Sequence, residues 1–159
     1  MHRTSGRLLR LQGLVMIVLY LALLVYFLFF SEKTGRIPGE TLRYNLTPFL
    51  EIRRFWVYRS DLGFEAVFLN LAGNVIAFVP FGALLPVVLP SFRNIVRTTL
   101  AGLLFSSGVE VLQLVTKLGS FDVDDILLNT AGVVLGYLLF EAYRRIRRQY
   151  LSGRKTDAW

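Results

Sequence analysis

The fold is decided by residues 66–89, which read AVFLNLAGNVIAFVPFGALLPVVL and carry no charged side chain. A run of 24 apolar and uncharged residues is long enough to cross the hydrocarbon core of a bilayer, which is about 30 Å thick. Pro80 and Pro86 predict a kink in this helix, which is tolerated where neighbouring helices satisfy the freed carbonyl groups.

Three further apolar stretches lie on either side of this one. Residues 14–30 carry no charge, and their 17 residues reach roughly 25 Å as a helix. Residues 98–116 carry one charge, Glu110, and the apolar run 126–140 is extended by its polar flanks. The sequence therefore predicts an all-α integral membrane protein, an antiparallel bundle of four transmembrane helices at about 14–30, 66–89, 98–116 and 124–143.

The composition supports a membrane protein and excludes several chemistries. Hydrophobic residues make up 54% and charged residues 18% of the 159 residues, so a soluble domain is not expected. The net charge of +7 is interpreted as attraction to a bilayer, and no nucleic-acid partner is predicted. Because there is no cysteine and the one histidine is His2, neither a thiolate nor a histidine-dependent active site is predicted, and no cofactor is predicted.

Lysine and arginine counts predict the orientation. The N-terminal segment 1–13, the turn 90–97 and the tail 144–159 together hold 11 of these residues, and the loops 31–65 and 117–125 hold 7. The positive-inside rule then places both termini in the cytoplasm and loop 31–65 outside. The predicted domains are the cytoplasmic segment 1–13, the transmembrane domain 14–143 and the basic cytoplasmic tail 144–159.

The outer loop 31–65 contains an amphipathic stretch that ends at Tyr58. Its aromatic side chains alternate with Arg53, Arg54 and Arg59, which is typical of a segment at the membrane interface. The alternative, which we favour, is an ordinary belt of aromatic residues.

Polar residues on three of the helices are predicted to converge in the outer half of the bundle. Glu110 lies about 9 Å below the outer end of its helix, where an unpaired carboxylate is costly and is therefore a functional candidate. Helical spacing places each set on one face of its helix. The predicted ligand-binding residues are Asn70, Asn74, Glu110, Gln113, Asp122, Asp125 and Asn129, with Arg53 and Arg54 from the loop.

Each member of this set also has a structural interpretation. Asp122 or Asp124 is suited to capping the fourth helix, and amides within a membrane commonly link helices by hydrogen bonds. Glu110 and Asp125 are the candidates for a catalytic role. Asp122, Asp124 and Asp125 are weak candidates for holding a hard cation.

Gly132 and Gly136 form a small-residue motif on the fourth helix. Such a motif lets two helices approach closely, either within the bundle or in a partner. A homo-oligomer or another membrane protein is therefore a candidate partner through these glycines.

Several motifs resemble the VanZ-like family of membrane proteins. They lie in each predicted helix after the first and in the first loop, and the resemblance extends from about Leu14 to Tyr143. The motifs are Asn45-Leu-Thr-Pro-Phe49, the stretch from Asn70 to Pro86, Ser107-Gly-Val-Glu110-Val-Leu-Gln113, and the stretch from Phe121 to Gly132. The resemblance implies a multi-pass protein of the bacterial plasma membrane. The family is named for a glycopeptide-resistance accessory protein that lowers sensitivity to teicoplanin.

Three functions are consistent with these features. The first is binding of the head group of an envelope lipid or a lipoglycopeptide in the polar outer half, with the arginines contacting phosphate. The second is an enzyme acting on a lipid-linked envelope substrate, with Glu110 as general base. The third is a structural partner of another membrane protein. We rank binding first.

Overall fold

The computed structural model describes residues 2–30 and 42–156. Parts of three predicted segments lie outside the described residues: Met1 of the N-terminal segment, residues 31–41 of the outer loop and 157–159 of the tail. Long helices dominate the described chain, which confirms the predicted all-α class. In chain order the elements are α1 (His2–Phe30), β1 (Tyr44–Asn45), α2 (Leu50–Val57), α3 (Arg59–Leu62), α4 (Phe64–Val88), a 3₁₀ turn (Pro90–Phe92), α5 (Ile95–Thr116), β2 (Phe121–Asp122) and α6 (Val123–Thr156).

Three helices are long and apolar enough to cross a membrane. They cover Val67–Val88 in α4, Ile95–Thr116 in α5 and Val123–Tyr150 in α6. A shorter apolar segment, Leu11–Phe27, lies in α1. Many large apolar side chains on these helices are exposed, which suits surfaces that face lipid rather than water.

The helix boundaries differ from the predicted ones at the polar ends. α1 already begins at His2, and α6 continues to Thr156, so the predicted segments 1–13 and 144–159 are largely helical extensions of the helices beside them. Apolar content marks where a helix enters lipid, but arginine and glutamate also favour helix, so the helix continues beyond the apolar run. α4 continues through both Pro80 and Pro86.

The closest helix contact joins α4 and α6 through glycines of both helices. A Cβ atom on Gly132 would collide with the carbonyl oxygen of Val75, and one on Gly136 with that of Val79. Gly82 approaches the backbone of Val133 in the same way. Glycine is required here because the two backbones touch. The prediction that Gly132 and Gly136 contact a partner is therefore wrong, since the protein's own α4 already covers them.

The contacts also define the relative directions of the helices. Asn74 of α4 bonds Asp125 of α6, and later along both helices Val79 meets Gly136, so these two helices run parallel. α5 runs opposite to α6, because Gly102 contacts Val133 whereas Ser106 contacts the earlier Asn129. α1 packs on α4, where the Tyr20 hydroxyl donates to the carbonyl of Ala77 at 2.8 Å.

The apolar core lies where α1, α4, α5 and α6 meet. Phe78 and Val133 are fully buried at its centre, and the Phe81 and Phe105 rings stack with centroids 5.0 Å apart. This core holds the helices together but carries no polar chemistry.

One end of the bundle is joined to the loop by a short parallel sheet. Tyr44 pairs with Phe121 and Asn45 with Asp122, so β1 from the loop lies beside β2, which leads into α6. The Phe121 amide also donates to the carbonyl of Arg43 at 3.1 Å. The loop is therefore part of the folded structure and brings α2 to the end of the bundle where α6 begins.

We expect Gly136→Ala to destabilise the protein by about 1–3 kcal/mol, because its methyl group would force the α4 and α6 backbones apart. Gly108→Ala is the matched control, since a Cβ there meets nothing within 4 Å and alanine favours helix. Thermal unfolding of the detergent-solubilised protein measures both. Equal melting temperatures for the two variants would contradict the close contact.

Candidate functional site

Asp124 connects the first turn of α6 to the loop. Its side chain is 1% exposed, yet its carboxylate accepts hydrogen bonds from three backbone amides of the loop. One oxygen accepts from the Phe49 N–H, and the other from Glu51 at 2.8 Å and Ile52 at 3.2 Å. The carboxylate therefore caps α2, a helix more than 70 residues earlier in the chain.

This contact explains how a buried charge is tolerated at Asp124. The first amides of a helix have no partner within the helix and carry its positive dipole end, so a carboxylate there is stabilised. Phe49, which precedes α2, has a left-handed backbone with φ of 64°. That conformation is unfavourable for a residue with a side chain, and it aims the Phe49 amide at Asp124.

Asp122 caps α6 and holds the loop on its other side. One of its oxygens accepts the Asp124 amide at 2.8 Å, which confirms the predicted cap, and the side-chain amide of Asn45 at 3.1 Å. Asn45 in turn accepts the Thr47 amide at 3.0 Å, which closes a turn before α2. The alternative that Asp124 caps its own helix is wrong, because Asp124 caps α2.

Glu110 links α5 to the start of α6. It is 2% exposed, and its Oε2 accepts the Asp122 amide at 3.0 Å. A carboxylate in this position receives a backbone N–H that would otherwise be buried without a partner. The structure thus brings Glu110 and Asp122 together through the Asp122 backbone.

The predicted amides are distributed over separate helix contacts. Asn74 donates to Asp125 Oδ1, and Asn129 donates to the Ser106 hydroxyl at 2.9 Å. Gln113 is buried and packs against Gly119. A Cβ atom added to Gly119 would lie 3.1 Å from the Gln113 side chain. Asn70 is exposed on α4, so the structure does not bring it into the buried set. Binding and catalytic roles for these residues stay predictions.

The three aspartates at the start of α6 accept hydrogen bonds from different protein groups. Asp122 binds Asn45 and the Asp124 amide, Asp124 binds the first turn of α2, and Asp125 accepts from Asn74. Within residues 2–30 and 42–156 no cluster of three or more His, Asp or Glu side chains could hold an ion. The weak candidacy of Asp122, Asp124 and Asp125 as cation ligands stays a prediction, and in this structure each carboxylate is directed at a different protein donor.

Carboxylates crowd the end of the bundle beneath α2. Burial raises the pKa of the Asp122 carboxyl, and the neighbouring Asp124 charge adds to this, while hydrogen bonds to Asp122 and the Arg54 charge oppose it. Burial likewise raises the pKa of Glu51, opposed by Arg54. Arg54, which pairs with Glu51 at 2.9 Å, therefore offsets part of the negative charge.

A shallow, open groove of about 440 Å³ lies on the surface along one face of α2 and contains both predicted arginines. Arg54 is paired with Glu51 and lies 5.3 Å over the Phe55 ring. Arg53 is exposed, and within the described part of the chain it has no side-chain ion pair or hydrogen bond. The groove is lined by Leu50, Glu51, Arg53, Arg54, Val57 and Tyr58.

The outer face of α2 is rich in exposed aromatic side chains. Trp56 and Tyr58 are both exposed, and Arg59 stacks 5.0 Å over the Trp56 ring while donating to the Trp56 carbonyl at 2.7 Å. Phe55 is instead buried. The predicted amphipathic stretch is therefore a helix with one face packed inward and an aromatic, basic face outward.

Sequence reasoning missed the joining of the two loops. The sequence contains no sign that the Asn45-Leu-Thr-Pro-Phe49 and Phe121-Asp122 motifs pair, although both precede helices and contain turn-forming polar residues. Ser106 is not among the predicted binding residues, although it lies four residues before Glu110, and the structure makes it the partner of Asn129. No local pattern indicates that Asp124 would cap a helix so distant in sequence.

Comparison with known proteins identifies the family. A family model described as VanZ/LLP1 matches residues 17–144, so the chain belongs to the VanZ/LLP1 family. Protein VanZ of Enterococcus faecium is 27% identical over 148 residues, which cover 89% of this chain and 79% of that protein. No solved structure matches the chain.

We expect Glu110→Ala to lower the free energy of unfolding by about 1–3 kcal/mol, because the Asp122 amide loses its acceptor in a buried position. Glu110→Gln keeps one side-chain oxygen and should cost less. Thermal unfolding in detergent compares the two. An alanine variant as stable as the glutamine variant would show that the hydrogen bond does not hold α5 against α6.

Proposed function

We propose that this member of the VanZ/LLP1 family binds the anionic head group of an envelope lipid, or of a lipid-linked molecule such as a lipoglycopeptide, in the groove along α2. The observation that carries the proposal is the exposed guanidinium of Arg53 within that groove, which has no ion pair or hydrogen bond among residues 2–30 and 42–156. Guanidinium groups bind phosphate and carboxylate through paired hydrogen bonds.

The surroundings of Arg53 suit a ligand that lies at a membrane surface. Leu50 and Val57 supply apolar walls, and Tyr58 supplies an aromatic ring with a polar end. Tyrosine and tryptophan favour the level of lipid head groups, and Trp56 and Tyr58 are both exposed on α2. A lipid could therefore place its head group by Arg53 and its chains along the neighbouring apolar helices.

The location that accompanies this proposal is the bacterial plasma membrane with four spans. α1 supplies the first span through its apolar segment Leu11–Phe27, in addition to the three longer helices. α4 and α6 pack in parallel and α5 runs the other way, which supports helices that cross the membrane one after another in alternating directions. The excess of Lys and Arg then places both termini in the cytoplasm and α2 at the outer surface.

Sequestering a lipid head group at this surface would change what a lipoglycopeptide antibiotic meets there. The similarity of this chain to protein VanZ of Enterococcus faecium, together with its place in the VanZ/LLP1 family, supports an effect on such an antibiotic. Lowered sensitivity to teicoplanin is accordingly proposed as the cellular consequence.

We expect Arg53→Gln to weaken retention of phosphatidylglycerol about fivefold, since one cationic side chain near anionic lipid contributes about 1 kcal/mol. Native mass spectrometry of purified protein titrated with phosphatidylglycerol or phosphatidylcholine measures retention. Arg97→Gln is the control, because it removes the same charge in α5 at the end of the bundle away from α2. Equal phosphatidylglycerol retention by wild type and Arg53→Gln would exclude the groove as the binding site.

We expect expression in a susceptible bacterium that lacks a family member to lower its sensitivity to teicoplanin. Arg53→Gln, present in the membrane in equal amount, should reduce this effect, whereas Arg97→Gln should leave it unchanged. Minimum inhibitory concentrations provide the measurement, with a glycopeptide that lacks an acyl chain as the comparison drug. Full protection by the Arg53→Gln variant would separate the antibiotic effect from the groove.

A further inference from the structure

Four residues join the loop to the membrane helices at one place. Asn45 and Phe49 lie on the loop, and Asp122 and Asp124 lie at the start of α6. We call these four residues the clamp. The clamp has side-chain and backbone components, because β1 and β2 pair at the same place.

We propose that the clamp holds α2 against the end of the bundle, in the position at which the groove along α2 can receive a head group. Asp122 and Asp124 are then positioning residues, which act on the ligand through α2. The inference rests on the proposed function for the ligand, but the docking of α2 can be tested without any ligand.

The geometry gives Asp124 the larger part in the clamp. Its two oxygens accept three amides from the turn that begins α2, and all of these donors lie within four residues of the chain. These residues directly precede Arg53. A change in the direction of this turn therefore moves the groove as a unit, since α2 is a continuous helix from Leu50 to Val57.

Asp122 restrains the turn from the other side. It accepts a hydrogen bond from the Asn45 side-chain amide. The Asn45 side-chain oxygen accepts the Thr47 amide, so the turn from Asn45 to Thr47 is itself held by a hydrogen bond and is attached to Asp122. Two adjacent carboxylates would repel each other, and Asp122 and Asp124 are each supplied with separate donors. If the loop moved away from α6, Asp122 or Asp124 would lose its loop donors and become a buried carboxylate without partners. The position of the loop against α6 is therefore favoured.

A disulfide reports docking independently of lipid. The chain contains no cysteine, and Tyr44 and Phe121 are register partners on neighbouring strands. Adjacent strands lie about 4.8 Å apart, which is compatible with the Cα separation of a disulfide. Tyr44→Cys/Phe121→Cys protein should therefore oxidise to an intramolecular disulfide, and the two single-cysteine proteins serve as controls.

The test introduces Asp124→Asn into this double-cysteine protein, with Asp61→Asn as the matched control. Asparagine keeps the shape of the side chain but turns an NH₂ group toward amides that need an acceptor. We expect the oxidation rate to fall about tenfold with Asp124→Asn and to remain unchanged with Asp61→Asn, which removes the same charge from an exposed site in α3.

Lipid retention tests whether docking positions the groove. Reduced Asp124→Asn protein should retain less phosphatidylglycerol than wild type in native mass spectrometry. Once the disulfide has been formed with a strong oxidant, retention should return, and reduction with dithiothreitol should abolish it again. A residue needed only for folding would not give this reversible rescue.

The possible outcomes test the clamp, its positioning role and the proposed function separately. An unchanged oxidation rate in Asp124→Asn would overturn the clamp. A slower rate with undiminished lipid retention would overturn its positioning role. Wild-type protein that retains no phosphatidylglycerol would overturn the proposed function, and the oxidation rates would still decide whether the clamp docks α2.

A second variant covers the case in which Asp124→Asn does not fold. Asn45→Ala removes the bond to Asp122 and the turn that it closes, but it leaves the three amide bonds of Asp124 in place. We expect a smaller fall in oxidation rate in the same direction. Wild-type rates in Asn45→Ala would contradict the clamp on the Asp122 side.

Discussion

The close contact of α4 and α6 is the constraint on which the rest of the structure depends. Within lipid, helices gain little from burying apolar side chains, because the hydrocarbon around them is equally apolar. Contact between backbones therefore decides how the helices fit, and Gly82, Gly132 and Gly136 are the positions at which α4 and α6 touch. Once this contact fixes the rotation of α6, the face that begins at Asp122 is directed toward α5 and the loop.

The polar residues at that end fulfil needs that apolar packing cannot meet. The start of α6, the start of α2 and the turn after α5 all present backbone amides with no helical partner. Asp122, Asp124 and Glu110 each accept at least one of these amides. The buried carboxylates at this end are therefore used by the three chain segments that meet there, and Arg53 is the arginine of α2 whose side chain has no ion pair or hydrogen bond within the described residues.

The sequence predicts much of this arrangement where the signal is local. Apolar runs predict the helices, and i, i+4 spacing places Ser106 and Glu110 on one face of α5. Capping by Asp122 follows equally from residue type. The partners of Asp124 could not be predicted, because the donors are backbone amides whose position depends on a left-handed Phe49 and on a strand pair of two residues. The ends of α1 and α6 were missed because hydropathy reports lipid contact and not helix.

The location of the arginines on α2 follows from the same electrostatics. Glu51 lies in the first turn of this helix, and Asp122 and Asp124 lie beneath it, so these three carboxylates would repel an anionic ligand from its N-terminal end. Asp124 already occupies the amides at that end. An anion can therefore be bound by side chains further along the helix, where Arg54 screens Glu51 and Arg53 is left facing outward. The acidic clamp and the basic groove are thus two consequences of capping one short helix with a carboxylate from the membrane domain.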